Sequence, residues 1–156
     1  MDIVFTKENQ RFNYRVAAVC IEVEHILLNK GKGEDHWFLP GGRVQMMESG
    51  EEALKRELKE EIGAEIKIDS LLWIVENFFN YDNHNFHEIG LYYKGTLEGN
   101  SFIEKGTNPF VIKDYDKEFM FQWISLEQII HMNVQPEFLK NRLVDIPIHT
   151  EHLVVR

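Results

Sequence analysis

The sequence predicts a mixed α and β fold, in which a mixed β-sheet carries helices packed against it. Apolar and β-branched runs of strand length recur along the chain, a strongly patterned helix interrupts them, and no linker or repeat divides them. Strands with interspersed helices are typical of a sheet with helices on its faces. The chain of 156 residues has the size of one domain, so residues 1–156 are expected to form a single domain.

The first half of the chain is predicted to be mainly strand. Residues 15–23 and 26–28 are apolar or β-branched, which predicts a pair of adjacent strands. Residues 30–35 are expected to form a solvated loop, because they lack the spacing of a phosphate-binding P-loop. Residues 37–39 form a predicted short strand, which ends at Pro40 and the two glycines after it.

Further strands follow in the second half of the chain. Residues 71–79 and 86–97 are predicted strands on either side of a polar tip at residues 80–85. Residues 98–117 contain many turn-forming side chains and are expected to be irregular. Residues 119–124 are apolar again and form another predicted strand.

Two short helices and a last strand complete the predicted elements. Ser125 and Gln128 have the spacing of a capping box, which predicts the start of a helix. Pro136 is placed to begin another helix, because proline is favoured in the first helical turn. Residues 152–155 form the predicted final strand.

The net charge of −9 limits the classes of partner. The chain carries 26 acidic and 17 basic side chains, whereas nucleic acids and anionic membranes attract proteins through Lys and Arg. We therefore expect neither a long nucleic acid nor a membrane surface as a partner. A small phosphorylated substrate stays open, because a bound divalent cation reverses the local charge.

Cysteine content and the N-terminal residues predict a reducing, cytoplasmic location. Cys20 is the only cysteine, so no intramolecular disulfide forms, and its apolar neighbours indicate a buried thiol. Residues 1–10 lack the apolar stretch of a signal peptide. No segment approaches the roughly 20 apolar residues of a membrane span.

Residues 49–63 have the clearest helical pattern of the chain. Ser49 and Glu52 form a capping box at the start, and Gly63 is the expected helix end. Aliphatic residues recur at every fourth position between them and predict a face turned toward the sheet: Leu54, Leu58 and Ile62.

A second face of this helix carries three glutamates: Glu57, Glu60 and Glu61. A solvated acidic surface explains them poorly, because Glu57 and Glu61 repel each other one turn apart and the helix dipole disfavours anions near its C-terminal end. A divalent cation removes these penalties, and carboxylate oxygens are the ligands that Mg²⁺ and Mn²⁺ prefer. Residues 48–65 hold seven acidic and three basic side chains, so nearly half of the negative excess lies here.

A longer spacing pattern surrounds these glutamates. Gly42 is followed after five residues by Glu48, and after seven more by Arg56-Glu57-Leu58-Lys59-Glu60-Glu61-Ile62-Gly63. The pattern resembles the box of the Nudix hydrolase family, G-x5-E-x7-R-E-U-x-E-E-x-G-U with U aliphatic. All seven fixed positions match, and Ala64 takes the last aliphatic position. The resemblance implies an α/β/α sandwich around a mixed sheet and hydrolysis of a nucleoside diphosphate linked to another moiety.

The resemblance also implies roles for the matching residues. Mg²⁺ or Mn²⁺ would be bound by one backbone carbonyl and three carboxylates: Gly41, Glu57, Glu60 and Glu61. Arg56 would orient Glu57 through a charge-assisted hydrogen bond. Glu48 would be a helper carboxylate, and Gly42 and Arg43 would lie beside the substrate, with Arg43 in contact with its phosphate.

The general base stays open between Glu57 and a glutamate outside the box. Glu118 lies in a predicted loop five residues before Trp123, where some family members carry a catalytic or metal-binding glutamate; ordinary loop charge is the other interpretation. Glu88 is a further candidate, for which a place on a strand face is the simpler explanation. Whichever residue it is, the base must reach the attacking water within hydrogen-bond distance.

The leading functional interpretation is therefore a metal-dependent hydrolase of a phosphoanhydride bond in a small nucleotide-type substrate. Two alternatives stay open: a Nudix-like module that senses a nucleotide without turnover, and a hydrolase of a non-nucleotide diphosphate, such as an isoprenoid or inositol compound. Aromatic residues between positions 78 and 86 suit stacking on a nucleobase, although core packing is the simpler explanation. Many family members are dimers, so a homodimer is a further expectation from the resemblance.

Overall fold

The computed structural model describes all 156 residues and contains ten strands. In chain order they are β1 (Val4–Lys7), β2 (Gln10–Val19), β3 (Ile21–Glu22), β4 (His25–Gly31), β5 (Gly41–Arg43), β6 (Glu65–Tyr81), β7 (His84–Glu98), β8 (Phe110–Asp114), β9 (Lys117–Ser125) and β10 (Glu151–Val155). The helices are α1 (Gly50–Ile62), α2 (Phe102–Lys105) and α3 (Leu139–Arg142), and a 3₁₀ turn covers Ile129–His131.

The strands form two sheets. The large sheet has six strands in the order β1-β2-β7-β6-β10, with β5 paired to β2. It is mixed, because β2 and β7 run parallel, as do β6 and β10, while the other neighbours are antiparallel. The small sheet has the order β3-β4-β9-β8 and is antiparallel throughout. The prediction of a mixed sheet is confirmed.

Helices cover both faces of this strand layer. Successive side chains of a strand point to opposite faces, and β2 shows where each face packs. Val16 and Ala18 belong to a buried cluster with α1, whereas Ala17 and Val19 belong to a second cluster with the 3₁₀ turn and α3. The fold is therefore the expected α/β/α sandwich.

Helix α1 has the predicted ends and the predicted buried face. The Ser49 side chain accepts a hydrogen bond from the Glu52 backbone N–H, and the Glu52 carboxylate accepts one from the Ser49 N–H. Gly63 ends the helix with φ 64°, a left-handed conformation that glycine adopts without strain. Leu54 and Leu58 are fully buried. The opposite edge of α1 is thereby left to the acidic residues.

The predicted strands at residues 71–79 and 86–97 are confirmed as parts of the longer strands β6 and β7. Tyr81 pairs with His84 across a two-residue turn of Asp82 and Asn83. Both turn residues have positive φ, as tight hairpins require, and Asp and Asn tolerate that conformation well. This hairpin forms the centre of the large sheet, with β2 on one side and β10 on the other.

One prediction for the first half of the chain is confirmed in part and one is wrong. The segments 15–23 and 26–28 are strands, and the end of the first, β3, pairs with β4, but its main part, β2, lies in the other sheet. Residues 37–39 are not a strand; Trp37 and Phe38 each make one isolated bridge. These pairings depend on partners distant in sequence, which strand propensity does not reveal.

Three predictions for the second half also need correction. Residues 98–117 contain α2 and β8, which the turn-forming residues around them concealed. Ser125 does not begin a helix: it is the last residue of β9, its side chain accepts a hydrogen bond from the Glu127 N–H, and the 3₁₀ turn starts only at Ile129. Helix α3 begins at Leu139, three residues after Pro136. The final strand is confirmed as β10, starting one residue earlier than predicted.

The structure also bears on the predicted burial of Cys20 and on membrane-spanning helices. Cys20 is buried within the cluster that packs against α1, and this burial raises the pKa of its thiol to about 12. The prediction of a buried core thiol is therefore confirmed. None of the helices combines the length and the apolar character that crossing a membrane requires.

Candidate active site

The acidic face of α1 meets the large sheet at Gly41 and Gly42. Strand β5 pairs antiparallel with β2, which places Gly42 opposite Val16 and Gly41 opposite Ala17. The Glu57 carboxyl group lies directly over Gly42, in the space that a Cβ atom at this position would occupy. Glycine is therefore required at position 42 to leave room for the carboxylate of Glu57.

Arg56 binds three carboxylates around this point. Its Nε and Nη2 atoms donate to Glu48 at 2.7 and 2.9 Å, and Nη1 donates to Glu57 at 2.8 Å and to Glu60 at 3.3 Å. Nη2 also donates to the Arg43 carbonyl oxygen at 3.0 Å. Hydrogen bonds from Arg56 are the main reason why the pKa of Glu48 lies below its usual value. The guanidinium group thus connects the helix to β5 and orients Glu57.

Glu57 and Glu61 are the partly buried acids of the helix face. Burial raises the pKa of Glu57, and the hydrogen bond and charge of Arg56 oppose this increase. Burial and then repulsion by Glu57 raise the pKa of Glu61 to about 8. Arg56 contacts Glu57 but not Glu61, which has no ion-pair partner within 4.0 Å. Glu61 is therefore a partly buried carboxylate without a direct cationic partner.

The residues of this face fit a hard divalent cation, although their side chains do not converge on one point. No group of three His, Cys, Asp or Glu side chains has the arrangement of a complete metal site, and Arg56 contacts both Glu57 and Glu60. The donor set is nevertheless that of Mg²⁺ or Mn²⁺, namely carboxylate oxygens with a nearby backbone carbonyl. The unpaired Glu61 is the observation that best fits a cation at this face.

A cavity of about 750 Å³ lies on the other side of the large sheet. Its floor is formed by side chains of β2, β6 and β7, and its walls by two loops, residues 34–39 and 135–139. Phe79 and Tyr81 line it and are 37% and 66% exposed, so the expectation that they are core residues is wrong. The volume is within the usual range of small-molecule sites, roughly 300–1,000 Å³.

Arg15 is a cavity residue that the sequence reasoning missed. It belongs to β2 and lines the cavity, and its positive charge opposes the increase in the pKa of Glu61. No carboxylate lies within 4.0 Å of its guanidinium group, unlike that of Arg56. The side chains of β2 alternate between its two faces, and Arg15 lies on the same face as the buried Ala17 and Val19. A charged residue on this apolar face was the sequence signal that could have identified it.

Glu118 lies in a strand and not in a loop. It lies in β9, opposite Lys113 of β8, and pairs with Lys32 at 3.1 Å and with Lys113 at 3.5 Å. The hydrogen bond and charge of Lys32 lower the pKa of Glu118. Its neighbour Phe119 packs against the α1 cluster, so Glu118 points to the opposite face of the small sheet.

Arg43 and Glu88 meet through one asparagine. Arg43 Nε donates to the Asn13 side-chain oxygen at 2.8 Å, and the Asn13 amide donates to Glu88 at 2.7 Å. Glu88 lies on the face of β7 that lines the cavity, and it is 5% exposed. The prediction that Glu88 lies on a strand face is therefore correct, and this face is buried.

Known proteins resemble this chain in sequence and in fold. Diphosphoinositol polyphosphate phosphohydrolase 2 of Rattus norvegicus is 36% identical over 76 residues, covering 46% of this chain and 42% of that protein. The putative 8-oxo-dGTP diphosphatase of Bacillus subtilis is 33% identical over 95 residues, covering 61% and 60%. The chain thus spans about half the length of these curated relatives.

Among solved structures, the mutator MutT protein of Bacillus halodurans superimposes with a TM-score of 0.68 at 17% identity, covering 90% of this chain and 89% of that chain. At this identity the superposition shows the shared fold alone. The sequence pattern of the NUDIX domain family matches residues 12–142, which include most of β2, the whole box and α3. The chain therefore belongs to the NUDIX domain family.

Proposed function

We propose that the chain is a divalent-metal-dependent hydrolase that cleaves a phosphoanhydride bond in a nucleoside diphosphate linked to another moiety. One observation carries the proposal: the Glu57 carboxylate, oriented by Arg56, lies over Gly42 at an edge of the sheet whose other face forms a cavity of nucleotide size. Residues 1–156 act as one domain in this proposal, since β1 and β10, near the two ends, belong to the same sheet.

Four residues would hold the cation, for which Mg²⁺ or Mn²⁺ is proposed: Gly41, through its carbonyl oxygen, and Glu57, Glu60 and Glu61. A bound cation would neutralise phosphate oxygens and activate the attacking water. Glu60 is 61% exposed and has the longest contact with Arg56, 3.3 Å, so its release from Arg56 costs little.

Glu57 is proposed as the general base. Its carboxylate accepts the proton of the attacking water, and the Arg56 hydrogen bond holds it in place while it does so. The two lysine partners of Glu118 and its place on the opposite face of the small sheet speak against that residue as the base.

Arg15 is proposed to contact the substrate phosphate instead of Arg43. The Arg43 Nε donates to Asn13, and its Nη1 lies 3.9 Å from Asp2. Arg15 has no such carboxylate, lines the cavity, and acts on Glu61 through its charge. A substrate with its phosphates near Glu61 and its other end in the cavity would therefore have Arg15 beside its phosphates.

The charge of the cavity favours a nucleotide over a heavily phosphorylated inositol. Its lining contains four acidic residues, Glu34, Asp35, Glu88 and Glu137. Arg15, Arg156 and His36 are its basic residues. Such a lining repels a ligand with many phosphates, whereas aromatic walls suit a nucleobase.

The proposal is tested by incubating the protein with nucleoside diphosphates, nucleoside triphosphates, ADP-ribose and dinucleotides, each with Mg²⁺ or Mn²⁺. At least one is expected to release phosphate, pyrophosphate or a nucleoside monophosphate, measured by anion-exchange chromatography. Diphosphoinositol and isoprenyl diphosphates form the comparison set, and cleavage of these alone would contradict the proposed substrate class. Binding of a nucleotide without any cleavage would contradict catalysis and favour a sensing module.

A further inference from the structure

The cavity floor presents two buried polar side chains that the proposed reaction does not use. Glu88 of β7 and Asn77 of β6 are directly opposite each other in the antiparallel pairing. They are 5% and 6% exposed, and both line the cavity. The Asn77 amide makes no hydrogen bond within the protein, although buried polar groups normally have partners. Its remaining accessible surface belongs to the cavity, where a ligand can supply the partner.

The Glu88 carboxylate is held in one orientation by two residues behind it. Arg43 donates to the Asn13 side-chain oxygen at 2.8 Å, which turns the Asn13 amide group toward Glu88. That amide donates to Oε2 of Glu88 at 2.7 Å. The other carboxylate oxygen, Oε1, has no partner in the protein. Glu88 therefore offers the cavity an oriented, acceptor-only oxygen beside the donor and acceptor atoms of Asn77.

Aromatic side chains surround this pair and indicate a planar ligand. Tyr92 lies on the same face of β7 as Glu88, and Phe79 on the same face of β6 as Asn77. Phe38 contributes from the loop on the opposite wall. Flat rings of this kind stack on nucleobases, while polar groups at the end of the pocket read the edge of the base.

Among the common bases, guanine matches the polar pair. Its Watson–Crick edge carries a ring N–H and an exocyclic NH₂ side by side, which a carboxylate accepts together, followed by the O6 oxygen, which the Asn77 NH₂ group can meet. Adenine places an unprotonated ring nitrogen opposite the carboxylate, so two acceptors face each other. Uracil has one N–H between two carbonyl groups, and cytosine has one NH₂ beside an acceptor.

We infer that Glu88 and Asn77 select a guanine-type base in the substrate. Glu88 accepts from the ring N–H and the exocyclic NH₂, and Asn77 donates to O6. Arg43 and Asn13 are positioning residues that act through Glu88. This inference rests on the proposed function, because it names the nucleotide that the hydrolase accepts.

Equilibrium binding of GMP, IMP and AMP by calorimetry tests the inference without requiring turnover. IMP keeps the ring N–H and O6 of GMP but lacks the exocyclic NH₂, and AMP lacks the ring N–H and O6 as well. We expect GMP to bind about tenfold more tightly than IMP, and IMP more tightly than AMP, because each step removes a hydrogen bond to a buried group. A carboxylate that bound ribose hydroxyls would give three equal affinities.

Three variants distinguish base selection from general damage. Glu88→Gln is expected to abolish the preference for GMP over IMP, whereas Asn77→Ser should weaken both equally and keep their ratio. Glu137→Gln is the matched control, since Glu137 lines the same cavity with a side chain 79% exposed. Thermal unfolding verifies each fold. If Glu88→Gln does not fold, the wild-type affinities and Asn77→Ser remain decisive.

Failure of this inference and failure of the proposed function give different results. Equal affinities for the three monophosphates, or no binding at millimolar concentration, would overturn the base selection. Hydrolysis of adenine and guanine nucleotides at equal rates would overturn it too, while the proposed function would stand. A clear preference for GMP without hydrolysis of any nucleotide would contradict the proposed function alone.

Discussion

Replacing Glu57 by Gln is expected to lower kcat by about 10³-fold without unfolding the protein, because a positioned general base contributes roughly 10²–10⁴-fold to a rate. The Gln side chain keeps the volume of Glu57 and an oxygen that accepts the Arg56 hydrogen bond, so the helix face stays packed. Initial rates on the best substrate of the panel, together with thermal unfolding curves, measure the two effects separately.

Glu51→Gln is the matched control for this experiment. Glu51 is exposed in the first turn of α1, outside the group of carboxylates that contact Arg56, and the same change there should leave kcat at the wild-type value. A Glu57→Gln variant within tenfold of wild type would remove Glu57 as the base. The search for the base would then move outside the box, with Glu118→Gln as the next variant.

Gly42→Ala is expected to lower activity by about 10²-fold or more in a protein that still folds. The added Cβ occupies the place of the Glu57 carboxyl group, which is the mobile end of a side chain and moves aside. A displacement of about 1 Å in a catalytic group is enough for a loss of this size. Rates and urea unfolding curves of the same protein sample give the measurement.

Gly41→Ala is the contrasting variant at the neighbouring position. Its Cβ would collide with the backbone of Val16 and Ala17 on β2, which cannot move without opening the β2–β5 pairing. We expect a loss of stability of about 1–3 kcal/mol or more, as for other overpacked sites. Two results would contradict this geometry. One is a Gly42→Ala variant that hydrolyses the substrate at the wild-type rate, and the other is a Gly42→Ala variant with a lower free energy of unfolding than Gly41→Ala.

Helix α1 could be predicted from the sequence because every signal that defines it is local. The capping box at Ser49 and Glu52, the left-handed Gly63 and the aliphatic residues four apart all lie within one segment, and each has the expected structure. The hairpin of β6 and β7 could be predicted for the same reason, because its two strands are neighbours in sequence on either side of a two-residue turn.

The cavity could not be predicted, because distant pairings assemble it. Arg15 comes from β2, Asn77 from β6 and Glu88 from β7, and the parallel pairing of β2 with β7 brings the first and last of these together. Local patterns indicate that each residue lies in a strand, but they do not indicate which strands are neighbours. For the same reason Glu118 was expected in a loop near the box and instead pairs with Lys32 and Lys113.

The charge of the helix segment has a more specific meaning in the structure. Arg56 contacts Glu48, Glu57 and Glu60 at once, so one base serves three of the acids counted in residues 48–65. Glu61 has no ion-pair partner, and the positive charge of Arg15 only partly offsets the increase in its pKa. The negative charge without a direct ion pair is therefore at Glu61, one helical turn from Glu57.

Removal and return of divalent metal test the central claim most directly. The rate of phosphoanhydride hydrolysis of the best substrate is measured with Mg²⁺, after dialysis against a chelator, and again after Mg²⁺ or Mn²⁺ is restored, with circular dichroism to verify the fold at each stage. We predict loss of turnover to the background rate and recovery when metal returns. Undiminished hydrolysis by the metal-free protein, or no hydrolysis of any substrate by the folded protein with Mg²⁺ or Mn²⁺, would contradict the claim.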